Sequence, residues 1–321
     1  MQVHILDDWF DTLRHLPCFA KLDQHEVTIW NDHCTNEDTL AERVKPAEAL
    51  VLFRERTNIT ASLLEKLPHL QLISQRSVYP HIDVEACTRF NVMLCSNMHA
   101  GTPSFAAAEH TWALILAAAR QIPAQMNSLR EGNWQMGVGR TLHGRTIGLY
   151  GYGRIAQAVA RYARAFGMNV VWWGSEDGRA RALSQGEKIA HSREAFFAES
   201  DIVSVHVRLK ASTKNIITAS DFAQMRKDAI FVNTSRAGLI EGNALLNALN
   251  AGRPGQAAID VFDIEPITWA NDPLAAHKSV VATPHIGFVT KEEFEIQFSD
   301  IFDQINAFAN GAPIHVITPL T

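Results

Sequence analysis

The sequence predicts an α/β fold with two doubly wound parallel-sheet domains in one chain. First, short apolar runs alternate with helix-like segments over residues 1–98, where the runs are "VHIL", "VTIW", "ALVLF", "LQLIS" and "NVMLC". Second, the scheme repeats further along, with "TIGLYG", "NVVWW", "DIVSVHV", "AIFVN", "AAIDVF" and "SVVATP". Strands that alternate with helices favour a parallel sheet covered on both faces. Third, 321 residues are enough for two ordinary domains.

The domain boundary is predicted in a turn-rich run, "NMHAGTP", Asn97–Pro103, which precedes a long apolar helix. The chain is expected to cross between the domains a second time after "TPHIGF". The last helix, predicted over Lys291–Asn310, is then expected to pack on the first domain. We therefore expect a discontinuous first domain over residues 1–98 and 288–321, and a second domain over residues 99–287.

Composition argues against several classes of protein. Hydrophobic residues make up 47% of the chain and charged residues 20%, and the formal net charge is -5, so no nucleic-acid partner is expected. No run approaches the roughly 20 apolar residues of a membrane span, and the N-terminus does not resemble a secretory signal. The four cysteines form no close CxxC pair, so we expect reduced thiols, no metal site and a cytoplasmic location.

A glycine-rich loop follows the first strand of the second domain. The run "TIGLYGYGRIAQAVARYARAFG" contains Gly151, Gly153 and Ala156 in the spacing GxGxxA, between a predicted strand and a predicted helix. Gly151 suits the tight turn, Gly153 lets a pyrophosphate approach, and Ala156 lets the helix pack on the strand. The helix begins at Arg154 and Ile155, and its N-terminus would bind the phosphates of the dinucleotide. A glycine turn that binds nothing is the alternative, but the flanking strand and helix favour dinucleotide binding.

Three polar residues follow apolar runs in the second domain. They are Arg236 after "AIFVN", Glu265 in "AAIDVFDIEP" and His285 in "VVATPHIGF". Because the carboxyl ends of parallel strands converge on one crevice, we expect the three to lie close together. Taken singly, they also fit a salt-bridge partner, a turn residue before a proline, and an interface histidine. Together on a dinucleotide-binding fold, they favour a hydride-transfer site.

At these motifs the chain resembles the D-isomer-specific 2-hydroxyacid dehydrogenases. The matching runs are "GYGRIA", "FVNTSRAGLIE", "AAIDVFDIEP", "TPHIG", "AEHTWALILAAAR" and "LREGNW", and the resemblance extends over nearly the whole chain. It implies a Rossmann-like cofactor domain and a flavodoxin-like substrate domain. It also implies NAD(P)-dependent hydride transfer at C2 of a small D-2-hydroxy or 2-keto acid, and a homodimer that exchanges the arm around Gln121–Thr141.

The resemblance also implies roles for individual residues. Arg236 would hold the substrate carboxylate, because a guanidinium matches a carboxylate bidentately. His285 would be the general acid/base, and Glu265 would orient its ring and stabilise the imidazolium. Asp260 would lie near the nicotinamide carboxamide. The other residues expected to bind the cofactor are Ser175, Thr234, Ser235 and Gly287.

The predicted substrate loop departs from the family. Where the family usually carries GxGxDxID, this chain has "SQRSVYPHID", Ser74–Asp83. We expect the backbone of Ser77 and Val78 to donate to the substrate. Arg76 and Arg54 would suit a second anionic group if they lie near the substrate, which keeps a 3-phosphoglycerate-type substrate open. The alternative for both is a surface arginine.

The residues after the second strand of the second domain bear on the choice between NAD and NADP. An acidic residue at the end of the second strand binds the adenosine ribose in NAD-specific Rossmann folds. Here "NVVWW" ends in Gly174 and Ser175. The charged residues that follow are Glu176, Asp177, Arg179 and Arg181, and they could meet a ribose, a 2′-phosphate or only solvent. We expect NAD, with NADP possible. A dinucleotide-binding regulator without chemistry is the alternative from another class, and the three polar residues argue against it.

Overall fold

The computed structural model describes residues 1–98 and 104–317. The chain divides into two compact units: unit 1 comprises Met1–Pro103 and Val289–Thr321, and unit 2 comprises Ser104–Phe288. Most of the run in which the boundary was predicted, residues 99–103, lies outside the described residues.

Eleven strands and eleven α-helices are formed by the described residues. The strands are β1 (Gln2–Ile5), β2 (Glu26–Ile29), β3 (Ala49–Val51), β4 (Leu72–Arg76), β5 (Met93–Asn97), β6 (Thr146–Tyr150), β7 (Asn169–Trp173), β8 (Ile202–Val205), β9 (Ile230–Asn233), β10 (Gln256–Ile259) and β11 (Val280–Ala282). The helices are α1 (Glu37–Val44), α2 (Ala61–Glu65), α3 (Val84–Arg89), α4 (Ala106–Ala119), α5 (Ile122–Arg130), α6 (Arg154–Ala165), α7 (Glu176–Ser184), α8 (Arg193–Glu199), α9 (Ala219–Gln224), α10 (Ala244–Asn250) and α11 (Lys291–Ala309). Short 3-10 helices span Leu13–His15, Pro17–Leu22 and Ala237–Leu239.

Unit 1 is built on a five-stranded parallel sheet in the order β2-β1-β3-β4-β5. This is the flavodoxin-like order. Helix α11 packs on β4, and its aromatic residues Phe294 and Phe298 meet Phe53 with ring centroids 5.5 Å and 4.4 Å apart. The last helix therefore belongs to the core of unit 1, although more than 190 residues separate it from the strands of that unit in the sequence.

Unit 2 is built on a six-stranded parallel sheet in the order β11-β10-β9-β8-β6-β7. Ile189 adds a single parallel bridge to Trp172 of β7, at the position of the third Rossmann strand. The chain reverses its direction of winding between β6 and β8, and ligands of doubly wound folds bind at this point. The predicted fold class, two parallel α/β domains, is confirmed.

Small residues allow the helices of unit 2 to lie close to the sheet. Ala156, Val159 and Ala163 of α6 are fully buried. Helix α4 packs on α6, β9 and β10, and its buried residues include Leu114 and Ile115. Helix α6, which follows the glycine-rich loop, and helix α4 beside it are thus both fixed to the core. Among the described helices, none combines the length and the apolar character that crossing a bilayer requires.

Candidate active site

The predicted cofactor loop joins β6 to α6. Gly151 has a φ of 110°, which favours glycine, and a Cβ there would lie 2.5 Å from the carbonyl oxygen of His206. At Gly153, in contrast, a Cβ would meet nothing within 4 Å. Helix α6 begins at Arg154 and Ile155, and no side chain caps it. The open space over Gly153 and the helix end fit the pyrophosphate of a dinucleotide.

The end of β7, where an adenosine ribose is expected, presents a neutral side chain. The hydroxyl of Ser175 accepts a hydrogen bond from the backbone N–H of Gly178, so Ser175 caps α7. The guanidinium of Arg179 lies 4.5 Å from the Trp173 ring centroid and donates to the Gly174 carbonyl at 2.6 Å. Arg179 is therefore held beside the expected ribose position, whereas the guanidinium of Arg181 lies over the ring of Tyr152.

The segment that carries Arg236 is fixed by local hydrogen bonds. Asn233, at the end of β9, donates through Nδ2 to the carbonyl of Arg236 at 2.9 Å and accepts from the N–H of Ser235 at 3.0 Å. The hydroxyl of Ser235 donates to the carbonyl of Val205 at the end of β8. Arg236 itself donates through Nη1 to the carbonyl of Ser235 at 2.7 Å. The arginine thus leaves the sheet at its carboxyl edge on a fixed backbone.

Glu265 and His285 are in direct contact. Nδ1 of His285 lies 2.7 Å from Oε2 of Glu265, and both side chains are partly exposed. The second carboxylate oxygen, Oε1, accepts from the N–H of Phe262 at 3.0 Å. The His285 ring packs edge-on against Phe288. This arrangement orients the imidazole and leaves Nε2 as the nitrogen that faces away from the carboxylate.

Asp260 is buried behind the His285 loop. Oδ1 accepts from the hydroxyl of Thr283 at 2.6 Å and the N–H of Ile286 at 2.9 Å, and Oδ2 accepts from the N–H of Gly287 at 2.8 Å. Burial alone would raise the pKa of Asp260, but hydrogen bonds from His110 and Thr283 outweigh it and the pKa lies below its usual range. The carboxylate is therefore ionised and holds the loop; its role in cofactor binding stays a prediction.

The predicted substrate loop lies in unit 1, after β4. Arg76 is only 8% exposed, and its Nε lies 3.7 Å from Oδ2 of Asp300 on α11. The alternative of a surface arginine is therefore wrong for Arg76. The N–H of Ser77 donates to the carbonyl of Asn97 at 3.1 Å, so this predicted substrate donor is already engaged within unit 1. The side chain of Gln75 donates to the carbonyls of Ser77 and Val78, which fixes the turn.

A comparison with protein families decides the family. The family model described as "D-isomer specific 2-hydroxyacid dehydrogenase, NAD binding domain" matches residues 112–287, which is more than half of the chain. The chain belongs to this family. The 2-hydroxyacid dehydrogenase is an oxidoreductase that uses NAD and transfers a hydride between the nicotinamide and C2 of a 2-hydroxy or 2-keto acid.

Individual relatives differ in how much of their length the dehydrogenase matches. A glyoxylate reductase of Aeropyrum pernix is 35% identical, with 89% of this chain and 88% of that protein covered. A D-3-phosphoglycerate dehydrogenase of Methanocaldococcus jannaschii is 36% identical, but only 52% of that protein is covered. A phosphoglycerate oxidoreductase from Vibrio cholerae, known from a crystal structure, is 43% identical in sequence. The two structures superpose with a TM-score of 0.92 over 97% of this chain and 100% of that chain. The chain thus spans about half the length of the curated phosphoglycerate dehydrogenase and most of the glyoxylate reductase.

Sequence reasoning missed three residues that contact the candidate site. His110 and Thr111 of α4 and Thr283 before His285 take part in its hydrogen bonds. A signal for the first two was available, since they follow Glu109 and directly precede the apolar run "WALILAAA". Their partners were not predictable, because they lie more than 120 residues further along the chain.

Proposed function

We propose that Arg236, Glu265 and His285 carry the chemistry of the dehydrogenase, with unit 2 as the dinucleotide-binding domain and unit 1 as the substrate domain. The observation that carries this proposal is the 2.7 Å contact between His285 and Glu265 at the carboxyl edge of the unit 2 sheet. Ligands bind at this edge in doubly wound folds. The alternative roles, a turn residue for Glu265 and an interface histidine for His285, are weaker interpretations. Neither role requires a carboxylate that is fixed at both oxygens.

Each of the three residues has a distinct task. The nicotinamide, when bound, supplies the hydride to C2 of the keto acid or accepts it from the hydroxy acid. In reduction, Nε2 of His285 gives a proton to the carbonyl oxygen, and in oxidation it takes the hydroxyl proton back. Glu265 keeps Nδ1 of His285 protonated and fixes the plane of the ring. Arg236 binds the substrate carboxylate through its planar fork.

For the substrate, we favour a small 2-keto acid without a phosphate group. The glyoxylate reductase of Aeropyrum pernix is matched over 88% of its length, whereas the phosphoglycerate dehydrogenase of Methanocaldococcus jannaschii is matched over 52%. Asp300 lies close to Arg76 and offsets the cation that was expected to meet a phosphate. Arg54 is offset in the same way, since its Nε lies 3.9 Å from Oε2 of Glu55. The likeness to the phosphoglycerate oxidoreductase from Vibrio cholerae keeps the phosphorylated substrate as the second candidate.

A substrate panel tests the proposal. Glyoxylate, hydroxypyruvate, pyruvate and 3-phosphohydroxypyruvate are each followed by loss of NADH absorbance at equal concentrations. We expect the highest kcat/KM with an unphosphorylated acid. A higher kcat/KM for 3-phosphohydroxypyruvate would give the second candidate preference. If the folded protein binds NADH but oxidises it with none of these acids, the alternative of a dinucleotide-binding regulator without chemistry would be supported.

We further propose a homodimer, and a cytoplasmic location. Helix α5 has no buried residue, and the segment around it exposes large apolar side chains: Ile122, Met126, Leu129, Trp134 and Val138. Several large exposed apolar side chains within one short segment are typical of an interaction site. Sedimentation equilibrium is expected to give a dimer, and Leu129→Glu with Trp134→Glu is expected to shift it toward monomer. The four cysteines are free thiols, as is usual for cytoplasmic proteins.

A further inference from the structure

Two adjacent residues of α4 contact the two segments that bear the proposed chemistry. Nε2 of His110 lies 2.9 Å from Oγ1 of Thr283 and 3.2 Å from Oδ1 of Asp260. The hydroxyl of Thr111 lies 2.6 Å from the hydroxyl of Thr234. Thr283 lies two residues before His285, and Thr234 lies two residues before Arg236. One turn of one helix therefore reaches the acid/base loop and the arginine segment together.

The contact of His110 bears on the backbone of His285. His285 has a φ of 53°, in the left-handed region that a non-glycine residue occupies only when its surroundings hold it there. The Asp260 carboxylate binds Thr283 on one side of His285 and the N–H groups of Ile286 and Gly287 on the other. His110 is the donor that joins this carboxylate to α4.

The hydrogen-bond directions are mutually consistent. The Thr283 hydroxyl donates to Asp260, so its oxygen is free to accept from the Nε2–H of His110. A His110 with its proton on Nε2 thus serves both acceptors at once. Removing the ring would leave a buried carboxylate short of one donor, which weakens its hold on the loop.

The contact of Thr111 has the same character. The Thr111 hydroxyl donates to the carbonyl of Ala107 at 2.7 Å, which fixes its rotamer, and its oxygen accepts from the Thr234 hydroxyl. Thr111 is fully buried. Since α4 is itself packed on β9 and β10, a rigid helix holds Thr234 in place.

We propose that His110 and Thr111 are positioning residues of the reaction. His110 holds the loop of the general acid/base, and Thr111 holds the segment of the carboxylate-binding arginine, so that one helix fixes their mutual geometry. This inference rests on the proposed roles of His285 and Arg236. It assigns a task to two residues that touch neither reacting atom, and it predicts a different kinetic defect for each.

Paired variants test the proposal by steady-state kinetics with the best acid of the substrate panel. His110→Leu removes the Nε2–H donor, whereas His110→Gln supplies a side-chain amide N–H donor at a similar distance from the backbone. Thr111→Val removes the hydroxyl at equal volume, and Thr111→Ser restores it. His69→Leu and Thr88→Val are matched controls, because both residues are exposed and lie in unit 1. NADH binding is measured by fluorescence, and folding by thermal unfolding.

The expected defects differ between the two positions. His110→Leu lowers kcat about tenfold or more and leaves KM for the acid within about threefold, because a small displacement of an acid/base group acts on the chemical step. Thr111→Val raises KM for the acid about tenfold and changes kcat less. His110→Gln and Thr111→Ser recover most of the loss, the controls match the wild type, and NADH affinity is unchanged throughout.

Other results would overturn the inference. It fails if His110→Leu and Thr111→Val keep wild-type kcat and KM, or if both lower kcat, acid affinity and NADH affinity together in proportion to lost stability. If His110→Leu does not fold, His110→Asn takes its place, because its amide is too short to reach Thr283. A His285→Ala variant, assayed beside them, separates the two proposals: full activity there refutes the proposed function, whereas an inactive His285→Ala with unaffected α4 variants refutes only this inference.

Discussion

Glu265 is anchored at both carboxylate oxygens, and His285 is one of the two anchors. Oε2 lies 2.7 Å from Nδ1 of the histidine, and Oε1 accepts from the N–H of Phe262 at 3.0 Å. A carboxylate fixed in this way cannot rotate without breaking one of the bonds. It therefore sets the plane of the imidazole and favours the proton on Nδ1 when the ring is neutral.

Glu265→Gln tests this relationship. The amide keeps the volume and one acceptor but removes the negative charge that stabilises the imidazolium. We expect kcat/KM for the keto acid to fall by about ten- to a hundredfold, less than for loss of the histidine itself. Steady-state kinetics across pH 5 to 9 measures it, and NADH affinity is the internal control. Wild-type kcat/KM over this range would remove Glu265 from its proposed role.

Arg236→Lys tests carboxylate binding. Lysine keeps the positive charge but lacks the planar fork, so we expect KM for the keto acid to rise by about tenfold or more. Dinucleotide binding should not change, because the glycine loop is a separate part of unit 2. An Arg236→Lys enzyme with an unchanged KM would show that the carboxylate binds elsewhere.

Gly151→Ala and Gly153→Ala are expected to fail for different reasons. At Gly151, the positive φ and the carbonyl of His206 exclude a Cβ, so the variant should lose about 1–3 kcal/mol of unfolding free energy even without cofactor. At Gly153, the φ of -109° and the open space accept a Cβ, so stability should stay within about 1 kcal/mol.

Isothermal titration with NADH completes the comparison of the two glycines. Gly153→Ala places a methyl group where the pyrophosphate is expected, and the dissociation constant should rise at least about tenfold, or about 1.4 kcal/mol. If Gly153→Ala binds NADH as well as the wild type does, the phosphates are not held over this turn.

Discrimination between NADH and NADPH should be modest. Ser175 is neutral and Arg179 lies beside it on the Trp173 ring, so the repulsion of a 2′-phosphate by Glu176 and Asp177 in the first turn of α7 is partly offset. We expect NADH to be preferred by less than about a thousandfold in kcat/KM, or about 4 kcal/mol. Ser175→Asp should keep the cap of α7, since aspartate is also a good N-cap, and should increase the preference for NADH. A larger wild-type preference would mean that a carboxylate reaches the ribose.

The sequence predicts local features of this protein well. The alternating apolar runs predicted the strands, because the period of a buried strand is a local property of the sequence. The glycine turn was also predictable, since its spacing is local and its backbone demands are specific to glycine. That Glu265 and His285 lie close together was expected from the rule that strand ends converge, and that Glu265 orients the ring was implied by the family resemblance.

Contacts between distant segments were not predictable. Asp260 was expected to face the cofactor, and the sequence gives no indication that four donors from two other segments surround it. Arg76 was read as a cation open to the substrate or to solvent, because its partner Asp300 lies on a helix more than 200 residues further along. Such hydrogen bonds depend on side-chain placement in three dimensions, which apolar periodicity does not encode.

The turnover of His285→Ala tests the central claim most directly. With the best acid of the panel, kcat should fall by about a hundredfold or more, the scale of a lost general acid/base. The NADH dissociation constant and the thermal unfolding midpoint should stay close to those of the wild type, which shows that the protein is folded and binds its cofactor. Near-normal turnover in a folded variant that binds NADH would contradict the account, because another group would then have to supply the proton.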